Sequence, residues 1–156
     1  MDISIKGRLM DLSKPRIMGI INITDDSFYA GSRHTGMEDI LAVAGRMLDE
    51  GADILDIGGC STRPGSEEVS EPVEKERVCR AVRLILDRYP EAVISVDTYR
   101  ASVAETAVAD AGASIINDIS GGEMDAGMFP LVARLNVPYI MMHMKGTPRT
   151  MQVNPV

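Results

Sequence analysis

Five short apolar runs punctuate this chain, and each ends in a polar residue that the interior of a strand does not need. Ile17–Ile21 ends in Asn22, Asp53–Leu55 in Asp56, Val93–Val96 in Asp97, Ser114–Ile116 in Asn117 and Asp118, and Val137–Met142 in His143. Segments with helical periodicity separate them. Nearly continuous apolar strands belong to parallel sheets covered on both faces, and polar groups at their carboxyl ends mark the rim where α/β folds build ligand sites. The spacing predicts strands over 16–23, 53–57, 92–96, 114–119 and 138–143. The first helix carries Met37, Ile40, Leu41, Ala44, Met47 and Leu48 on one face. The second starts near Pro72 and carries Val78, Ala81, Val82, Ile85 and Leu86. The third runs over 100–111, and the fourth holds Met128, Leu131, Val132 and Leu135. Residues 3–12 alternate around Gly7, as expected of a small hairpin that plugs the bottom of a barrel. The fold class is therefore α/β, either an open doubly wound sheet or a barrel.

Composition narrows the partners. The chain has 156 residues, enough for one domain with a true core, and a formal net charge of −7. No basic stripe is available to neutralise phosphates, so no nucleic-acid partner is expected. No run approaches the roughly 20 apolar residues of a membrane span, and the start lacks the apolar core of a signal peptide. Cys60 and Cys79 have neither disulfide nor metal spacing, as expected of reduced thiols in the cytoplasm.

Asn22 opens a segment, Thr24-Asp25-Asp26-Ser27-Phe28, in which an amide oxygen suits either Mg²⁺ or a polar turn cap. The second segment, Gly58-Gly59-Cys60-Ser61-Thr62-Arg63-Pro64-Gly65, offers close backbone approach, two hydroxyls and a guanidinium fork matched to phosphate or carboxylate. It is no P-loop, since Gly-Lys-Ser/Thr is absent. Asp97 and Asn117 end neighbouring strands. Side by side they form either a mixed donor and acceptor array for a flat nitrogen heterocycle such as a pterin or purine, or a buried structural network. Asp118 is expected to bond backbone. His143 is open between general base, phosphate contact and structural histidine.

Taken together, these stretches resemble dihydropteroate synthase: Met18-Gly19-Ile20-Ile21-Asn22-Ile23-Thr24 with Asp26-Ser27-Phe28, Gly51-Ala52-Asp53-Ile54-Leu55-Asp56-Ile57-Gly58-Gly59 with Ser61-Thr62-Arg63-Pro64-Gly65, Ser95-Val96-Asp97-Thr98, Ile116-Asn117-Asp118-Ile119, and Met142-His143-Met144-Lys145-Gly146-Thr147-Pro148. The resemblance implies a (β/α)₈ TIM barrel that condenses 6-hydroxymethyl-7,8-dihydropterin pyrophosphate with p-aminobenzoate, giving 7,8-dihydropteroate and pyrophosphate in folate synthesis, with sulfonamides mimicking the aminobenzoate. It implies that Asn22 holds Mg²⁺, that Thr62, Asp97 and Asn117 contact the pterin, that Arg63 lies near the anionic groups, and that Met141 walls the pterin pocket. Asp97 and Arg63 are the implied catalytic residues. A pterin-binding methyltransferase using methyltetrahydrofolate and a non-catalytic half-barrel binding module are the alternatives.

The chain departs from the family pattern at Asp25, where Pro is usual, at Ala30, where Asp is frequent, and at Cys60, where Glu is usual. Residues 1–156 are expected to form the amino-terminal part of one barrel domain, about five strands and four helices. Little activity is expected of that part alone, and its unpaired strand edges are expected to favour a homodimer.

Overall fold

The computed structural model describes residues 1–23, 33–59 and 69–143. A two-stranded hairpin, β1 (Asp2–Ile5) and β2 (Arg8–Asp11), precedes β3 (Met18–Asn22), α1 (Arg33–Asp49), β4 (Ile54–Gly58), α2 (Glu71–Arg88), β5 (Ile94–Asp97), α3 (Ala101–Ala109), β6 (Ile115–Asp118), α4 (Met128–Leu135) and β7 (Tyr139–Met141). Strands β3 to β7 form one parallel sheet in sequential order. The α/β alternation read from the sequence is the observed one.

Differences lie at the ends of elements. The first long strand was expected from Arg16, but β3 begins at Met18. Arg16 and Ile17 are diverted to Asp53: Arg16 Nη1 donates to Asp53 Oδ1 and the Ile17 N–H to Asp53 Oδ2, both at 2.9 Å. The Ile17 N–H and the Arg16 guanidinium hold the Asp53 carboxyl below its ordinary range. Helix α1 starts a turn before Met37. Glycines follow two helices, Gly51 at φ +99° and Gly112 at φ +93°, where a left-handed residue closes the last turn.

Alternation along the strands divides the sheet into two faces. On the helix side Ile21, Leu55, Ile57, Ile94 and Val96 are buried against Ile40, Ala44, Val78, Val82, Ile85, Val103 and Ala107. Ile116 continues this layer against Ala104, Met128 and Leu131. β4 is buried at every residue, in keeping with a strand that is apolar at Ile54, Leu55 and Ile57 and polar only at Asp56.

The hairpin turns through Lys6 (φ 49°) and Gly7 (φ 76°), both left-handed, with Ile5 opposite Arg8. Two such residues suit the twist of a two-residue hairpin. Ile5 then packs with Ile54 and Ile115, flanked by Ile3, Met10, Met18 and Val93. Met18, Ile54 and Ile115 begin their strands, so the hairpin covers the amino-terminal end of the sheet, as expected of a plug. Ile5→Ala should cost about 2–4 kcal/mol, because a buried aliphatic side chain is removed and a cavity left. A urea midpoint unchanged from the parent chain would show that the hairpin closes nothing.

Candidate functional site

The register carries one rung across all five strands at their carboxyl ends. Asn22 pairs with Gly58, Gly58 with Asp97, Asp97 with Asn117, and Asn117 with Ile140. Partners in a parallel ladder share a face, so Asn22, Asp97, Asn117 and Ile140 look to one side over the bare backbone of Gly58. A Cβ on Gly58 would stand 3.1 Å from Asn22 Oδ1 and 3.6 Å from Asp97 Oδ2. The glycine thus leaves a cradle between the two oxygens that any side chain would fill.

One rung lower lie Ile20, Asp56, Ser95 and Ile115. Asn117 Nδ2 donates to Asp56 Oδ2 at 2.9 Å. Asp56 is 2% exposed, and among the described residues its Oδ1 and the Ser95 Oγ have no hydrogen-bond partner. Burial pushes the Asp56 carboxyl up, while the Asn117 amide pulls it back. Above it, burial first and then the charges of Asp56, Glu74 and Asp118 push Asp97 up to about 7. Among the described residues no side-chain or backbone donor bonds the Asp97 carboxylate. A half-buried carboxyl that titrates near neutrality and keeps its lone pairs open is a marker of a functional position.

Two supports flank the rung. Asp118, fully buried, takes the Ser120 N–H at 2.7 Å and the Ser120 hydroxyl at 2.8 Å on Oδ1, and the Gly122 N–H at 3.0 Å and the Tyr139 hydroxyl at 2.7 Å on Oδ2. It secures the turn after β6 to β7, the loop-anchoring role expected of it. The Tyr139 phenol is raised by burial and by its bond to this carboxylate. Behind Asp97, Glu74 is 1% exposed. It accepts from Thr98 Oγ1 at 2.6 Å and pairs with Arg100, whose guanidinium also donates to the Val69 carbonyl at 2.9 Å. This triad ties α2 to the segment that leaves β5.

The structure brings Asn22, Asp97 and Asn117 together. Thr62 and Arg63 lie outside the described residues, as do Asp25, Ala30 and Cys60. Met141, expected in the pocket wall, is in register with Asp118 while Ile140 pairs with Asn117; Met141 is 62% exposed and lies beside Gly121. His143 is exposed just past β7. Sequence reasoning did not single out Glu74, which reads as an ordinary acidic residue in a first helical turn. Asp56 was visible as a polar residue ending an apolar run, but its pairing with Asn117 was not. No group of three or more His, Cys, Asp or Glu among the described residues is arranged to hold a metal.

The sequence model of the family described as "Pterin binding enzyme" matches residues 18–156. Dihydropteroate synthase of Escherichia coli (strain K12) is 43% identical over 155 residues, covering 99% of this chain and 54% of the relative. The Yersinia pestis dihydropteroate synthase, solved with a sulfonamide drug complex, superposes with a TM-score of 0.83 at 42% identity, covering 100% of this chain and 55% of that one. The Xanthomonas albilineans synthase, solved with 4-aminobenzoic acid, gives 0.82 at 42% identity, with coverages of 93% and 52%. These neighbours are TIM barrels. The chain spans about half the length of these bacterial relatives. With its family sequence matched from the first strand of the parallel sheet onward, and its fold superposed on theirs, this chain belongs to the pterin binding enzyme family.

Proposed function

We propose that this chain carries the pterin half of a dihydropteroate synthase site, and that residues 1–156 form the amino-terminal part of a single TIM-barrel domain. The observation that supports it most is the Asp97–Asn117 pair, in register at the carboxyl ends of adjacent parallel strands. A carboxylate accepts ring N–H groups, and an amide offers one donor and one acceptor to the edge of a flat heterocycle. The reaction joins the aminobenzoate nitrogen to the pterin methylene. A C–N bond forms, the C–O bond to pyrophosphate breaks with its electron pair leaving on pyrophosphate, and the amine gives up a proton. Asp97 holds the ring in place for this displacement. Arg63 and Thr62 serve the anionic end and the ring in the same reading.

The donors at the rim fit Mg²⁺. Asn22 Oδ1 is a hard, exposed oxygen facing the Gly58 cradle, with an Asp97 oxygen on its other side. Bound there, the ion would neutralise charge on the departing pyrophosphate. The reading includes a homodimer, since β3 and β7 are paired on one side only among the described residues, and a cytoplasmic location, in keeping with the free, buried thiol of Cys79. No helix of the described residues is long and apolar enough to cross a membrane.

Calorimetry with 6-hydroxymethyl-7,8-dihydropterin pyrophosphate, with and without Mg²⁺, tests the proposal. Binding that tightens with Mg²⁺, and release of pyrophosphate on adding p-aminobenzoate to a chain that includes the remaining strands, are expected. Absence of binding under both conditions would refute it. Pterin binding without pyrophosphate release would favour the methyltransferase alternative.

A further inference from the structure

Asp56 is the buried charge that the proposed reaction leaves without a task. It stands beneath the Gly58 cradle, 2% exposed, where its strand neighbours Leu55 and Ile57 are apolar. One oxygen takes the Asn117 amide at 2.9 Å and the other has no partner among the described residues. A carboxylate held this way costs stability that an aliphatic side chain would not. We propose that Asp56 is a positioning residue, which fixes the way round in which Asn117 presents its amide to the ligand.

The reasoning is one of donors and acceptors. An ionised carboxylate only accepts, so the atom that Asn117 turns toward Asp56 must be Nδ2. Turned over, the amide would set its carbonyl oxygen against a carboxylate oxygen in a buried, low-dielectric site. With one N–H committed downward, Asn117 offers the rim its other N–H and its Oδ1 in a fixed order beside the Asp97 carboxylate. A ring entering over Gly58 meets a site whose hydrogen-bonding pattern is already set, and the orientation entropy of the amide is lost before binding instead of during it. The ligand's identity rests on the reading under Proposed function; the fixing of the amide does not.

Two measurements at pH 8 test this. The first needs no ligand: side-chain ¹⁵N–¹H spectra of the protein should show one Asn117 Nδ2 proton protected from solvent exchange, with the protection lost in Asp56→Ala. The second is a double-mutant cycle read by calorimetry with 6-hydroxymethyl-7,8-dihydropterin. Asp56→Ala should weaken binding about tenfold in the parent chain and less than about twofold when Asn117 is already Ala, because the effect travels through that amide. Asp56→Leu fills the volume and serves the same cycle if the alanine variant unfolds. Equal losses in both backgrounds would overturn the proposal, since Asp56 would then touch the ligand itself or merely support the fold. An unchanged affinity in Asp56→Ala, or free exchange of both Asn117 protons in the parent chain, would also overturn it. A parent chain that binds no pterin yet protects one Asn117 proton would refute the functional reading and uphold the fixed amide.

Discussion

Asp97→Asn should weaken pterin binding by about a hundredfold, the loss of two charge-assisted hydrogen bonds, and yet make the protein more stable above neutral pH. The stability gain follows from the raised carboxyl. Folded, Asp97 keeps its proton up to about pH 7; in the unfolded chain it lets go near an ordinary aspartate value. Between those limits the folded state binds more protons than the unfolded one, so stability falls as pH rises through the window and levels off above it. The penalty at pH 8 is about 4 kcal/mol, from the separation of the two values at about 1.4 kcal/mol per pH unit. Asparagine does not titrate and escapes it. Urea denaturation of both proteins at pH 5 and pH 8 checks this: the variant's advantage should be small at the lower pH and large at the higher. An advantage independent of pH would show that Asp97 is not raised. A stability cost carried at one exposed-to-ligand position is the pattern expected where binding, rather than folding, selects the residue.

Glu74→Ala should have the opposite sign, with a loss of about 3–5 kcal/mol, because it takes the carboxylate away from the Arg100 guanidinium in a site that is nearly closed to water. Thr98 loses its acceptor at the same time. Glu74 also helps to raise Asp97, so the variant should let Asp97 ionise at lower pH. Chemical denaturation measures the first effect, and the carboxyl ¹³C titration of Asp97 measures the second. A loss below about 1 kcal/mol would mean that solvent takes over the role of Glu74, as it does for surface pairs.

These two residues show what the sequence makes legible. Asp97 was visible because it ends an apolar run and because β4, β5 and β6 are strands with little polar interruption. Its partnership with Asn117 follows from sequential parallel order alone. Glu74 was invisible: its partners Thr98 and Arg100 lie 24 and 26 positions away, and nothing local distinguishes it from the other acids of α2. The same holds for Asp56 and Asn117, 61 positions apart. Periodicity reports which face a residue occupies, whereas a hydrogen bond between two buried polar groups depends on the register of strands that periodicity does not fix. The start of β3 was misplaced for a related reason. Ile17 continues the apolar pattern, but the Asp53 carboxylate takes its backbone N–H, with the Arg16 guanidinium on the other oxygen, and ends the ladder early.

Asn117 and Asp118 are adjacent in the chain and opposite in duty. One gives a single amide N–H to Asp56 and turns the rest of its amide to the rim; the other spends both carboxylate oxygens on four donors from the following turn and β7. Because successive strand residues point to opposite faces, deleting or inserting one residue within β6 would exchange them. The rim would acquire a second carboxylate beside Asp97, and the turn would lose its anchor. Length changes within this strand are therefore expected to be absent from functioning relatives, while the point substitutions that β6 tolerates at its apolar positions are expected to be common.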